Sequence, residues 1–146
     1  MEAVIFCGLQ ASGKSSLYRE RFFNTHVRIN LDMLRTRRRE DILLRACLEG
    51  GQRFVVDNTN PTRGDRARYI EKAKAAHFAL AGYFFAETLP DCLGRNAARI
   101  GKARIAERGV AATFARLEPL QWDEGFDRLF TVRLNANGFL IEELVR

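Results

Sequence analysis

At 146 residues and 16.7 kDa the chain is one domain's length. Hydrophobic residues at 47% and charged residues at 29% exclude a disordered chain. The three cysteines, Cys7, Cys47 and Cys92, have no C-x-x-C spacing, which excludes a zinc knuckle and a disulfide scaffold. Read as small buried hydrophobes, they imply a reducing compartment, the cytoplasm, and no disulfide partner. No apolar run approaches the roughly 18 residues of a membrane span. Met1-Glu2 leads directly into a strand-like run, so neither a signal peptide nor membrane association is expected. The net charge of +6 is uneven: residues 117–146 hold three basic and six acidic residues, so the whole basic excess precedes them. That asymmetry suits an anionic partner such as phosphate or nucleic acid; a preference for arginine codons would give the same excess.

In chain order, Ala3 to Cys7 is a continuous apolar run ending at Gly8 and predicts a strand buried on both faces. A helix is expected from Lys14 to Phe23 and an alternating strand from His26 to Asn30. Asp32 would open a long helix to Leu48, closed by Gly50-Gly51. Arg53 to Val56 predicts a third strand, ending at Asp57. Helices are expected from Thr62 to Ala76 and from Thr88 to Ile100, with a strand from Phe78 to Phe85 between them. A basic loop at Gly101–Gly109 is the segment expected to move, followed by helix at 107–117. Leu129–Leu134 and Phe139–Leu144 read as strands around an Asn137-Gly138 hairpin signal. Alternating strands and helices imply one three-layer α/β domain over residues 1–146, with a largely parallel sheet and helices on both faces. His26 and His77 stand alone and read as packing or surface residues. Trp122 and Phe126 are expected to cover the sheet edge.

Gly8-Leu9-Gln10-Ala11-Ser12-Gly13-Lys14-Ser15 fits G-x-x-x-x-G-K-[ST] at every fixed position, between a predicted strand and a predicted helix. In such a P-loop, glycines let backbone N–H groups turn inward on phosphate oxygens, and the helix N-terminus adds partial positive charge. Gly8, Gln10, Ala11, Ser12, Gly13, Lys14, Ser15 and Ser16 are therefore the expected ATP-phosphate cradle. Lys14 would reach the β- and γ-phosphates and the Ser15 hydroxyl would ligate Mg²⁺. Asp57, at the end of a neighbouring strand, would hold the ion through water. No Asn-Lys-x-Asp guanine signature is present, and the length suits a small phosphotransferase. Asp32, just past the second strand, is the candidate to take a proton from an acceptor hydroxyl; capping the helix that follows is its other reading. Arg35, three residues on, would clamp a phosphate of the acceptor.

Gly8–Ser15, Asn30-Leu31-Asp32-Met33-Leu34-Arg35 and Val56-Asp57-Asn58-Thr59-Asn60-Pro61 together resemble the kinase domain of polynucleotide 5′-hydroxyl kinases. The likeness runs on through Arg66–Tyr69, Arg95-Asn96 with Arg99, Pro119 and Glu124-Gly125-Phe126. It implies that Asp32 accepts the proton of a 5′-hydroxyl and that Arg35, with Asn58 or Thr59, grips the phosphate on the acceptor's 3′ side. It implies further that Arg99, in a lid at about 95–109, stabilises the transferring phosphoryl group, assisted by Arg95 one helical turn earlier. Leu31 and Met33 flank Asp32 where that family often has a further Asp or Arg. The same motifs occur in small-molecule kinases, so a sugar, nucleoside or metabolite is the alternative acceptor to a nucleic-acid 5′ end. An ATP-binding protein without transfer activity is a second alternative.

Overall fold

The β1 strand (Glu2–Gly8) turns Ala3, Ile5 and Cys7 to one side and Val4 and Phe6 to the other, all without solvent exposure. A strand that is apolar on both sides needs cover on both faces. The computed structural model, which describes residues 1–146, supplies it by putting β1 inside a six-stranded sheet. The others are β2 (Val27–Ile29), β3 (Phe54–Val56), β4 (Ala79–Phe85), β5 (Arg128–Asn135) and β6 (Gly138–Glu143), in the order β2-β3-β1-β4-β5-β6. The pairs β2–β3, β3–β1, β1–β4 and β4–β5 are parallel; β6 returns antiparallel on β5. The fold is therefore the α/β P-loop arrangement the motif pattern predicts.

Two layers of helix cover the sheet. On one face α3 (Arg37–Gly50) and α4 (Arg63–Ala75) contribute Leu44, Cys47, Tyr69, Ile70 and Ala73 to the larger core. On the other, α1 (Lys14–Leu17) and the π-helical turn after it (Tyr18–Phe22) contribute Leu17, Tyr18 and Phe22. The helices α5 (Leu89–Ala97) and α6 (Glu107–Arg116) lie apart, sharing a cluster of three buried residues, Leu9, Cys92 and Val110. No helix is long and apolar enough to cross a membrane, and all three cysteines are free and buried.

Several expected elements are redrawn. The single helix from Asp32 to Leu48 is two: α2 (Leu31–Leu34), then Arg35 at φ 76, then α3. The caps explain the break. The Asn30 side chain accepts the Met33 N–H, and the Thr36 hydroxyl accepts the Arg39 N–H, so two N-cap residues start two helices. Asp32 is thus not a cap. The first helix keeps α geometry only to Leu17 before widening into the π turn. The α5 helix ends at Ala97, so Arg99 lies beyond it and does not share a helix face with Arg95. The hairpin turn is Ala136-Asn137, with Gly138 at φ 117 opening β6. Phe126 packs in the larger core against the middle of the sheet rather than at its edge, where a Cβ on Gly82 would meet its ring at 2.9 Å; Trp122 packs beside that core under the Arg146 guanidinium. His26 is buried against Glu2 and Thr25, and His77 is exposed.

One ion pair locks the segment after α6 to the centre. Arg66 is fully buried and forks onto Glu124 at 2.7 and 3.0 Å, while its Nη1 donates to the carbonyls of Asn60 (2.9 Å) and Glu118 (3.0 Å). A buried charge is tolerated only when paired and hydrogen-bonded this fully.

Candidate active site

The carboxyl ends of β1, β2 and β3 open on one cleft of about 910 Å³, at the point where the strand order reverses. Its floor is the loop from Gly8 to Ser15. Gly8 is required for close approach, since a Cβ there would sit 2.7 Å from Phe85 Cβ and 2.9 Å from Ser12 Oγ. Gly13 is required for conformation, at φ 99, and its bare face lies against Phe139 and Leu134 of the β5–β6 hairpin. The cleft walls gather most of the residues predicted from sequence: Gln10, Ala11, Gly13, Lys14, Ser15, Ser16, Asp32, Arg35, Asp57, Asn58, Thr59 and Arg99. Gly8, Ser12 and Arg95 do not line it. Ser12 is buried beneath the loop. Arg95 instead braces the loop from behind, its Nε donating to the Ala11 carbonyl at 2.7 Å.

Lys14 is buried, at 8% exposure. Its ammonium donates to the carbonyls of Gly8 (3.0 Å) and Leu9 (2.5 Å) and approaches the Ser12 hydroxyl at 3.4 Å. Burial pushes its pKa down from 10.5 to about 8, with the Asp57 carboxylate pulling the other way. A cation held dry at the floor of a phosphate loop interacts with an arriving polyphosphate far more strongly than one in water.

The Ser15 hydroxyl donates to Asp57 Oδ2 at 2.9 Å, so the two oxygens expected at Mg²⁺ meet although they are 42 residues apart. A hydroxyl and a carboxylate suit a hard cation, and no cluster of three or more His, Cys, Asp or Glu offers an all-protein cage. Mg²⁺ fits such a pair, because it keeps waters and takes further ligands from bound phosphates. Arg28, which the sequence reading passed over, also touches the pair: its Nε donates to Asp57 Oδ2 at 2.8 Å and its Nη2 to Ser15 Oγ at 2.9 Å.

Asp32 is exposed at the cleft wall on α2. That short helix is fixed at its start by Asn58, whose Oδ1 accepts the Leu31 N–H at 2.9 Å. The Asn58 amide in turn donates to Glu40 Oε2 (3.1 Å) and to the Tyr69 hydroxyl (3.3 Å). Glu40, fully buried, also receives Arg37 (2.8 Å) and the Tyr69 O–H (2.9 Å). Burial and the Glu40 carboxylate push the Tyr69 phenol up to about 12, so it stays a donor. This network was missed from sequence, where Glu40 was hidden behind the Arg37–Arg39 run. Its signal was there: Glu40, Leu44 and Cys47 recur at helical spacing on the stripe that α3 turns inward. Seven cationic side chains line the cleft (Lys14, Arg19, Arg35, Arg37, Arg99, Lys102 and Arg116) against three acidic ones, Asp32, Asp57 and Asp65.

No family model matches the chain. Solved structures do. It superposes on a sugar kinase from Janibacter sp. HTCC2649 with TM-score 0.66 and 18% identity, covering 90% of this chain and 85% of that one. A gluconokinase from Sinorhizobium meliloti 1021 gives TM-score 0.62 and 18% identity over 90% and 82%. Chaetomium thermophilum Kti12, solved with ADP-AlF3, gives 0.64 and 17% over 92% of each chain. At these identities the likeness establishes the fold alone. The polynucleotide-kinase resemblance of the motifs finds no support among these neighbours, two of which are kinases of small molecules.

Proposed function

We propose that the chain is an ATP-dependent phosphotransferase whose acceptor is a hydroxyl of a small molecule. One observation carries this reading: the buried Lys14, the Ser15–Asp57 oxygen pair and the exposed Asp32 all face one cleft of about 910 Å³. That volume is at the upper end of small-molecule sites, consistent with a nucleotide tail plus a compact acceptor. The likeness to a gluconokinase and a sugar kinase supports the small acceptor.

Lys14 and the backbone N–H groups of the loop bind the β- and γ-phosphates. Mg²⁺, when bound, neutralises charge on the phosphate oxygens; Ser15 and Asp57 would hold it. Asp32 takes the acceptor's O–H proton. The acceptor oxygen then bonds to the γ-phosphorus as the bridging oxygen leaves with ADP. Arg99, at the cleft mouth, stabilises the equatorial oxygens. Arg35 and Arg37 orient the acceptor.

The polynucleotide 5′-hydroxyl is a second reading, favoured by the cationic surplus of the cleft. A screen of labelled γ-phosphate transfer across sugars, sugar acids, nucleosides and 5′-hydroxyl oligonucleotides separates them. Transfer to a small acceptor whose affinity is nearly independent of salt supports the first. Transfer to oligonucleotides, with affinity falling by a log–log slope of about −0.7 per phosphate contacted, supports the second. ATP binding without transfer to any acceptor reduces the chain to a nucleotide-binding protein.

A further inference from the structure

We propose that Arg28 is a resident cation on the metal-ligand pair: it occupies Ser15 Oγ and Asp57 Oδ2 when no divalent ion is bound, must be displaced by the ion, and so sets the Mg²⁺ concentration at which nucleotide binds tightly. The inference rests on the kinase reading of this cleft.

The geometry is a direct competition for two atoms. Arg28 donates Nε to Asp57 Oδ2 at 2.8 Å and Nη2 to Ser15 Oγ at 2.9 Å, the same oxygens an ion would take. The Ser15 hydroxyl already gives its proton to Asp57, so one of its lone pairs receives Arg28 and is lost to a metal while the contact lasts. The Asp57 side chain is 1% exposed. A carboxylate so deeply placed needs a counter-charge, and without an ion Arg28 is the one that touches it. A guanidinium and a divalent cation cannot both sit there, because their repulsion in a partly dry site is large.

The displaced side chain has somewhere to go. Arg28 stands on β2, at the sheet's edge, with its side chain 28% exposed. A second cavity, about 360 Å³, lies beside Ser15 and Arg28 and is bounded by Tyr18, Arg19, Phe23 and Met33. A guanidinium can swing on its flexible stem towards the Tyr18 and Phe23 rings, in a cavity it would share with the Arg19 side chain. Arg28 would thereby hold the two oxygens together in the empty site and withdraw when the ion arrives.

The test is a calorimetric titration of a non-hydrolysable ATP analogue at a series of Mg²⁺ concentrations, with wild type and Arg28→Gln. Losing two charge-assisted hydrogen bonds from the competitor should lower the half-saturating Mg²⁺ concentration about tenfold. A fall of less than threefold, no change, or a rise overturns the proposal. If wild type binds the analogue at no Mg²⁺ concentration, the kinase reading fails and this one with it; binding by wild type with an unshifted midpoint in Arg28→Gln fails this one alone. Should Arg28→Gln not fold, arginine side-chain NMR of wild type decides. The Arg28 Nε–H resonance should move when Mg²⁺ is added to the nucleotide complex, and an unmoved resonance overturns displacement.

Discussion

The loop floor from Gly8 to Ser15 and the helices α5 and α6 beside it are held in different ways. The floor lies over two clusters of 16 and 10 buried residues and is stitched from below by Arg66 and Asn60. The helices α5 and α6, which flank the lid expected at about 95–109, rest on a cluster of three that includes Leu9 of the loop. Two polar ties join them to the loop, Gln10 donating to Thr113 and Arg95 donating to the Ala11 carbonyl, and Asn96 exchanges two hydrogen bonds with Ile105 between α5 and α6. Elements with few buried contacts are the ones that open locally. A well-packed loop beside a loosely packed helix pair is the division that the proposed phosphoryl transfer would use to exclude water and then release product.

The largest effect should come from chemistry placed on the floor side. Asp32→Asn keeps size and removes charge, and loss of a positioned general base costs about 10²–10⁴-fold in transfer rate. Affinity for ATP should stay within about threefold, since Asp32 is in no ion pair. A single-turnover measurement that finds less than a threefold loss removes Asp32 from the proton path.

Next is the brace. Glu124→Ala leaves Arg66 charged and buried, a loss of about 3–5 kcal/mol in unfolding free energy. Denaturant melts should show it with the slope of the transition unchanged. A loss below about 1 kcal/mol would mean that the segment bearing Glu124 is not anchored as drawn.

The α5–α6 pair should respond locally. Val110→Ala removes two buried methyl groups from the three-residue cluster, about 2 kcal/mol with the cavity included. Hydrogen exchange in α5 and α6 should quicken by about 30-fold while β1 and β3 stay protected. Equal acceleration in β1 would erase the distinction between the two regions.

The smallest effect is on pH. Lys14 is held at about 8 when free, and bound phosphate favours its charged form, so nucleotide binding takes up a proton above that pH. Affinity should be flat below pH 8 and fall towards tenfold per unit above it, in a titration followed by calorimetry in two buffers of different ionisation enthalpy. The fold behaves in the opposite sense. The unfolded lysine binds its proton up to about 10.5, so between 8 and 10.5 the unfolded state carries more protons, and the Lys14 contribution to stability rises with pH. Lys14→Ala should abolish both trends.

Much of this was legible in the residues. A run that is apolar at consecutive positions, Ala3 to Cys7, followed by Gly8–Ser15, places β1 and the loop with no further information. Asp57 at a strand end was readable for the same reason, and its meeting with Ser15 follows from parallel pairing of β1 with β3. The division of α2 from α3 was hidden because Arg35 at φ 76 carries no glycine or asparagine to announce a left-handed residue; only the paired caps Asn30 and Thr36 betray it. The burial of Lys14 was equally hidden. A lysine in a glycine-rich loop reads as solvated, and only the fold brings the Gly8 and Leu9 carbonyls over its ammonium. Arg28 reads as the outward residue of an alternating strand, and what turns it inward is the Asp57 carboxylate one strand over.

The contact of Gly13 with Leu134 and Phe139 bears on how the molecule is made. The Gly8–Ser15 loop is synthesised well before β5 and β6, which supply its backing. A chain emerging from the ribosome folds its earlier parts first. During translation the Gly8–Ser15 loop therefore remains unsupported on that side until the hairpin docks, and the proposed nucleotide capture waits on that docking.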